Sequence, residues 1–201
     1  MADSCIDPLE GFPEHVKSCL ENIQRGTPPA YRLNLRQAAV LMPLFVDEGE
    51  WKVLFTRRSD VVQDHKGQVS FPGGAADASD ESPEDTARRE MFEEIGIRPE
   101  AVDLLGRMND MPTITSYLIT PIVGVISWPV KLEANPDEVA RVFSIPLCWL
   151  ANETHHEERL YRLPDGSEHP VIYFSEYDGE LLWGVTARIV LEFLDLTGLP
   201  Y

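Results

Sequence analysis

The sequence predicts an α/β fold, an α/β/α sandwich around a mixed β-sheet, on three observations. Apolar, β-like segments are interleaved with helical patterns placed before, between and after them, the layout of helices packed on the faces of a sheet. The 201 residues suffice for one well-filled core and are short for two domains. A hydrophobic content of 43% with 25% charged residues is ordinary for a globular chain and does not indicate disorder.

Taken in order, Val16, Leu20 and Ile23 recur at helical spacing between Pro13 and about Arg25, with Gly26 as a stop, so a short docking helix is expected. Thr27-Pro28-Pro29 breaks it and opens a linker. Residues 1–35 therefore read as an N-terminal helical extension and linker, and 36–201 as the main domain. Gln37 to Val46 and Trp51 to Thr56 read as paired strands joined by the turn Asp47-Glu48-Gly49-Glu50, delivering Arg57 and Arg58 to a loop.

Ser82 is a good N-cap and Pro83 suits the first helical position, so a helix starts at about Pro83. Gly96 marks its end, with Pro99 beyond. Val102 to Met108 and Tyr117 to Ile126 read as strands flanking a loop from Asn109 to Thr115 that could lean over a site. Trp128 to Asp137 reads as a loop, Val139 to Phe143 as a short strand, and Pro146 as the start of a brief helix. Tyr161 to Leu163 and Pro170 to Phe174 flank the turn Asp165-Gly166. A last helix runs from about Thr186 to Leu196, with Ile189, Val190, Phe193 and Leu194 on its buried side.

A formal net charge of −17 argues against general DNA or RNA binding, which draws on clustered Lys and Arg. No stretch approaches the ~20 apolar residues that span a bilayer, and the N-terminus has no signal-peptide pattern, so a cytoplasmic location and no membrane partner are expected. Cys5, Cys19 and Cys148 lack metal or redox spacing and read as inert thiols. His155-His156 reads as a surface pair, and the four tryptophans as packing residues.

The stretch from Gly67 to Ile97 carries the chemistry. Glu90, Glu93 and Glu94 stand at i, i+3 and i+4, so their carboxylates share one helix face with Cβ atoms about 5 to 6 Å apart. Such a face is either solvated or given a cation. The preceding Phe71-Pro72-Gly73-Gly74 favours the cation, because paired glycines let the backbone approach a ligand, and hard cations take carboxylate, carbonyl and phosphate oxygens. Arg57, Arg58, Lys66, Arg88 and Arg89 supply local positive charge for an anionic substrate. His65, in Asp64-His65-Lys66-Gly67, is a candidate substrate contact. Glu133 and Glu138 are candidates for a further ligand or base.

The stretch resembles the Nudix box, G-x5-E-x7-R-E-U-x-E-E-x-G-U with U a bulky aliphatic. Glu81 fills the first Glu, Arg89-Glu90 and Glu93-Glu94 the two pairs, and Gly96-Ile97 the end. Counting back from Glu81 puts Ala75 in the glycine slot, so relative to Gly74 the loop is one residue longer. That extra residue, with Leu54-Phe55-Thr56-Arg57-Arg58-Ser59, Gly67 and Phe71 to Gly74, resembles the coenzyme A pyrophosphatase branch, which usually has Arg where this chain has Gln63.

The resemblance implies a Nudix-type sandwich and a hydrolase of a diphosphate linked to another moiety, dependent on Mg²⁺ or Mn²⁺. Coenzyme A or an acyl derivative is the implied substrate. Glu90 and Glu94 would be metal ligands, Glu93 a ligand or the catalytic base, and Arg89 a catalytic residue orienting a Glu. Arg57, Arg58, His65, Lys66, Gly73 and Gly74 would contact substrate. ADP-ribose or another nucleoside diphosphate derivative is the alternative substrate, and a nucleotide-sensing module the non-enzyme alternative. A homodimer is left open.

Overall fold

The computed structural model describes residues 11–23, 35–59, 67–162 and 166–199. Five strands lie in the order β3 (Val69–Ser70), β2 (Glu50–Arg58), β1 (Arg36–Asp47), β7 (Tyr117–Ile126) and β5 (Val102–Arg107). β4 (Gly73–Ala75) pairs with β1, β6 (Met111–Pro112) with β7, and β8 (Val139–Pro146) with β2. β1 and β7 run parallel and the other pairings are antiparallel, so the sheet is mixed.

Side-chain alternation on the strands sends apolar residues to both faces. Ala39, Leu41 and Phe45 of β1, with Leu54 of β2, pack under helix α2 (Pro83–Ile95) through Ala87, Met91 and Ile95. Met42 and Leu44 of β1, with Val53 and Phe55 of β2, pack against helices α1 (Phe12–Glu21) and α4 (Gly184–Thr197), and the brief helix α3 (Leu147–Leu150) adds Leu147 and Leu150 to the same cluster. Helices therefore cover both faces of the mixed sheet, as the sequence predicts. Phe12, Val16 and Leu20 of α1 are buried in the second of these clusters.

Helix α2 is capped as its residues dictate. Ser82 accepts from Asp85 N–H at 3.2 Å, a side-chain N-cap, and its hydroxyl donates to the Asp85 carboxylate at 2.7 Å. Gly96 ends the helix with φ 75°, and its N–H donates to Phe92 O.

Several elements depart from expectation. β2 extends through Arg58, so Arg57 and Arg58 lie on a strand and not in a loop. The segment 109–115 pairs back onto β7 through Met111 and Pro112. β8 runs three residues past Phe143, to Pro146, because its pairing with β2 continues to Lys52. β9 (His156–Arg162) and β10 (Glu168–Phe174) form a separate two-stranded hairpin. His155 and His156 are half-buried, the first stacked 4.4 Å from Trp149, so they are not a surface pair. Cys19 is a free thiol, whereas Cys148 is disulfide-bonded and not the inert thiol expected. Among the described residues, no helix is long and apolar enough to cross a membrane.

Candidate active site

The carboxylates of α2 meet the glycines of β4 at the edge of β1. Gly73 pairs with Val40 and Gly74 with Ala39. A Cβ on Gly73 would lie 2.5 Å from Ala39 O, and one on Gly74 would lie 2.5 Å from the Glu90 carboxylate. Only glycine allows this backbone to sit between β1 and the helix.

Glu94 is 2% exposed, and its Oε2 has no hydrogen-bond partner. Arg58 Nη1 stands 3.9 Å from Glu94 Oε1, too long for a good hydrogen bond, and Arg58 Nε is buried without a partner as well. Burial pushes the Glu94 carboxyl up to about 8, partly opposed by Arg58 and by the Gly73 N–H, and reinforced by Glu90 and Glu138. Burial also raises Glu90, against its bond from Arg89. Three carboxylates, Glu90, Glu94 and Glu138, thus repel one another in a poorly solvated place.

Arg89 is the hub on the other side of these groups. It donates from Nε to Asp80 Oδ1 at 3.1 Å and from Nη2 to Asp80 Oδ2 at 2.9 Å, a bidentate pair. Its Nη1 reaches Glu90 at 2.9 Å and Glu93 at 3.0 Å, and Nη2 also donates to Ala75 O. Asp80 further accepts from Thr86 Oγ1 and Asp77 N–H, and these donors, led by Arg89, hold it far below the usual carboxylate range.

The segment after β7 closes the C-terminal end of α2. Glu133 N–H donates to Ile95 O at 2.9 Å and Asn135 N–H to Glu94 O at 2.8 Å. Asn135 Nδ2 then donates to the Glu138 carboxylate at 3.2 Å, and Glu138 O accepts from Ser59 N–H at 2.8 Å. Of the two candidates outside the helix, Glu138 faces the cluster electrostatically, whereas the Glu133 side chain is exposed and pairs with Lys131.

Among the described residues, no three His, Cys, Asp or Glu side chains stand ready as a metal cage. The donors nonetheless suit a hard divalent cation: all are oxygens, one buried carboxylate oxygen is unpartnered, and the carboxylates carry more negative charge than Arg58 offsets.

The Nudix domain model matches residues 35–165. The protein called uncharacterized Nudix hydrolase NudL in Photorhabdus laumondii is 42% identical over 166 residues, covering 81% of this chain and 87% of that protein. Its counterpart in Cronobacter sakazakii is 39% identical over 187 residues, covering 92% and 95%. The chain belongs to the Nudix hydrolase family. A MutT/nudix family protein from Enterococcus faecalis shares the fold, with a TM-score of 0.51 and 16% identity over 92% of this chain and 68% of that one. Nudix hydrolases generally need divalent metal ions.

Within the Nudix box, spacing from Arg89 makes Glu81 the first acidic residue, and spacing from Gly74 makes it Asp80. Asp80 is the one that grips Arg89, while Glu81 is exposed. The extra residue therefore falls between Asp80 and Arg89. Placing the acid six positions after Gly74, instead of eight before Arg89, gives Asp80.

Of the expected site residues, the structure brings Glu90, Glu94, Arg89, Gly73, Gly74 and Arg58 together. Glu93 is the exposed member, held by Arg89 at the helix surface. Arg57 points to the other face of the sheet, 3.7 Å from Glu180, where it lines a cleft of about 620 Å³ with Trp183 and Leu181. His65, Lys66 and Gln63 lie outside the described residues.

Proposed function

We propose that this protein is a divalent-metal-dependent pyrophosphohydrolase whose substrate is coenzyme A or an acyl derivative. The products are then phosphopantetheine, acylated where the substrate is, and adenosine 3′,5′-bisphosphate. The observation that carries the hydrolase reading is the buried, under-compensated Glu94 beside Glu90, set against Gly73 and Gly74. Family membership supports the same reaction class. The coenzyme A reading is supported by the segment from Leu54 to Ser59, by Gly67 and Phe71 to Gly74, and by the lengthened box.

Mg²⁺ or Mn²⁺ would be held by Glu90 and Glu94, with Glu93 as a further ligand or the base. The cation supplies charge neutralisation to the diphosphate and activation of water. The chain's own residues do the rest. Asp80 fixes Arg89 at two points, and Arg89 in turn fixes the Glu90 and Glu93 carboxylates. Arg58, with its Nε–H unpartnered and its Nη1 beside Glu94, would donate to a phosphate oxygen of the bound substrate. Water adds to one phosphorus in line, the bridging P–O bond breaks, and in the reading with Glu93 as base the proton passes to that exposed carboxylate.

The test is a substrate panel on the purified protein with Mg²⁺ or Mn²⁺, both products identified by mass. Coenzyme A is expected to exceed ADP-ribose in kcat/KM, and excess EDTA to abolish turnover. Dephospho-coenzyme A should be about ten- to a hundredfold poorer, the effect of one charge-assisted phosphate contact. Equal values for coenzyme A and its dephospho form, or a lead for ADP-ribose, would overturn the coenzyme A reading and leave the reaction class standing. Full turnover in EDTA would overturn the metal dependence.

A further inference from the structure

The β9–β10 hairpin stands apart from the main sheet, and its outer strand is exposed along almost its whole length. Among the described residues, no strand pairs with the outer edge of β9. His156 to Arg162 contains no Pro, no Lys and no bulge, and its four charged residues, two of each sign, can pair with one another across a second copy of the strand. It also carries Leu160 at 69% exposure and Tyr161 at 44%.

Two features fix which backbone groups the edge offers. Pro170 faces Leu160 and has no N–H, and Phe174, which faces His156, donates its N–H away from β9 to Leu182 O at 2.9 Å. Both put the even-numbered residues of β9 in non-hydrogen-bonded pairs with β10. The N–H and C=O groups of Glu158, Leu160 and Arg162 therefore point outward from the hairpin. We infer that β9 pairs with β9 of a second copy of this chain, antiparallel about a two-fold axis at Leu160, joining two hairpins into a four-stranded sheet.

The charges select that register. Centring the axis on Glu158, Arg159 or Arg162 would set like charges directly opposite each other, which is destabilising. Centring it on Tyr161 would set Arg162 against Leu160. Centring it on Leu160 sets Leu160 against its copy and Glu158 against Arg162 of the partner subunit, twice by symmetry. The Leu160–Leu160 and Glu158–Arg162 pairs use the outward-pointing backbone groups, and Arg159 faces Tyr161 of the partner subunit in the non-hydrogen-bonded pairs between them. The strand holds two Glu and two Arg, so the edges that meet are charge-balanced within a chain of net charge −17. One strand pair buries less than the roughly 1,200 Å² of a stable specific interface, the size of a weak, reversible contact.

Sedimentation velocity across the micromolar range tests this on the full chain, beside the Leu160→Pro variant. Proline there removes an outward N–H and leaves the β9–β10 ladder intact. Wild type is expected to dimerise with concentration, and Leu160→Pro to stay monomeric with unchanged circular dichroism. Facing Leu160 positions would stand about 5.5 Å apart at Cα, within disulfide reach, so Leu160→Cys should form a covalent dimer on mild oxidation. Glu157→Cys, on the other face of the strand, and wild type should not. A wild type that stays monomeric, a Leu160→Pro dimer, or equal cross-linking at position 157 would each overturn the inference. Should Leu160→Pro fail to fold, Glu158→Arg decides: a dimer weakened about tenfold supports the pairing, and an unchanged one overturns it.

Discussion

Glu94 and Glu180 each stand beside an arginine of β2, one on either face of the sheet, and their surroundings differ in kind. Glu180 lies between two cations, 3.1 Å from Arg141 Nη1 and 3.7 Å from Arg57 Nε, and Arg141 also holds Asp178 in the same turn. Glu94 has Arg58 at 3.9 Å, an unpartnered oxygen, and two further carboxylates close enough to raise its proton affinity. A carboxylate that ties a turn to a sheet is satisfied within the fold. One left short of counter-charge in a buried place costs stability, and such a cost persists where a ligand restores the balance.

The sharpest way to break this comparison is to neutralise each carboxylate without changing its shape. Glu94→Gln should lower kcat by more than ~10²-fold with unchanged circular dichroism, since it removes charge from the proposed metal clamp. Glu180→Gln should leave kcat within about twofold and cost about 1–3 kcal/mol of stability, because Arg57 and Arg141 lose the carboxylate they share. Steady-state kinetics and urea unfolding on both variants decide it. A Glu94→Gln enzyme retaining half its kcat, or a Glu180→Gln enzyme as impaired as Glu94→Gln is expected to be, would remove the distinction.

How much of this was legible in the sequence differs between the two places. The spacing of Glu90, Glu93 and Glu94, the cap at Ser82 and the stop at Gly96 are local, and each survives in the structure because helix geometry alone decides them. The opposite headings of Arg57 and Arg58 were legible too, since successive strand residues alternate, but only had β2 been carried to Arg58. Asp80 was hidden by a one-residue shift in the motif. The Glu180 pair joins β2 and β8 to the turn before α4, with Arg57 and Glu180 123 positions apart, and nothing in either segment marks the other. The loop that closes α2 docks through the backbone N–H groups of Glu133 and Asn135, which any residue except proline could supply.

A smaller effect sharpens the same contrast through pH. The Glu94 carboxyl titrates at about 8 in the fold against 4.5 unperturbed. Between those values the folded chain keeps a proton that the unfolded chain has released, so stability falls as pH rises through the window and levels off above it. Glu90 is raised as well and adds to the fall in the same direction. In metal-free buffer, wild type should therefore lose roughly 2 kcal/mol or more relative to Glu94→Gln between pH 5 and pH 8.5. Adding Mg²⁺ or Mn²⁺ at the upper end should restore much of that loss. Parallel stability curves for the two proteins would show that Glu94 is compensated in a way the structure does not contain.

The smallest effects separate the two arginines. Arg58→Ala should reduce kcat/KM about tenfold, the lower end for one charge-assisted contact to a phosphate, with most of the change in KM if the contact exists in the bound ground state. It should also raise the Glu94 pKa further, because Arg58 is the cation that opposes burial there, and so displace the stability curve above to higher pH. Arg57→Ala removes the longer of two bonds to Glu180 and leaves Arg141 in place. A partly exposed ion pair of this kind contributes about 0.2–1 kcal/mol to unfolding, and kcat/KM should stay within about twofold. If Arg57→Ala instead raised KM as much as Arg58→Ala, the cleft beside Trp183 and Leu181 would have to hold part of the substrate, and the two faces of the strand would share one function.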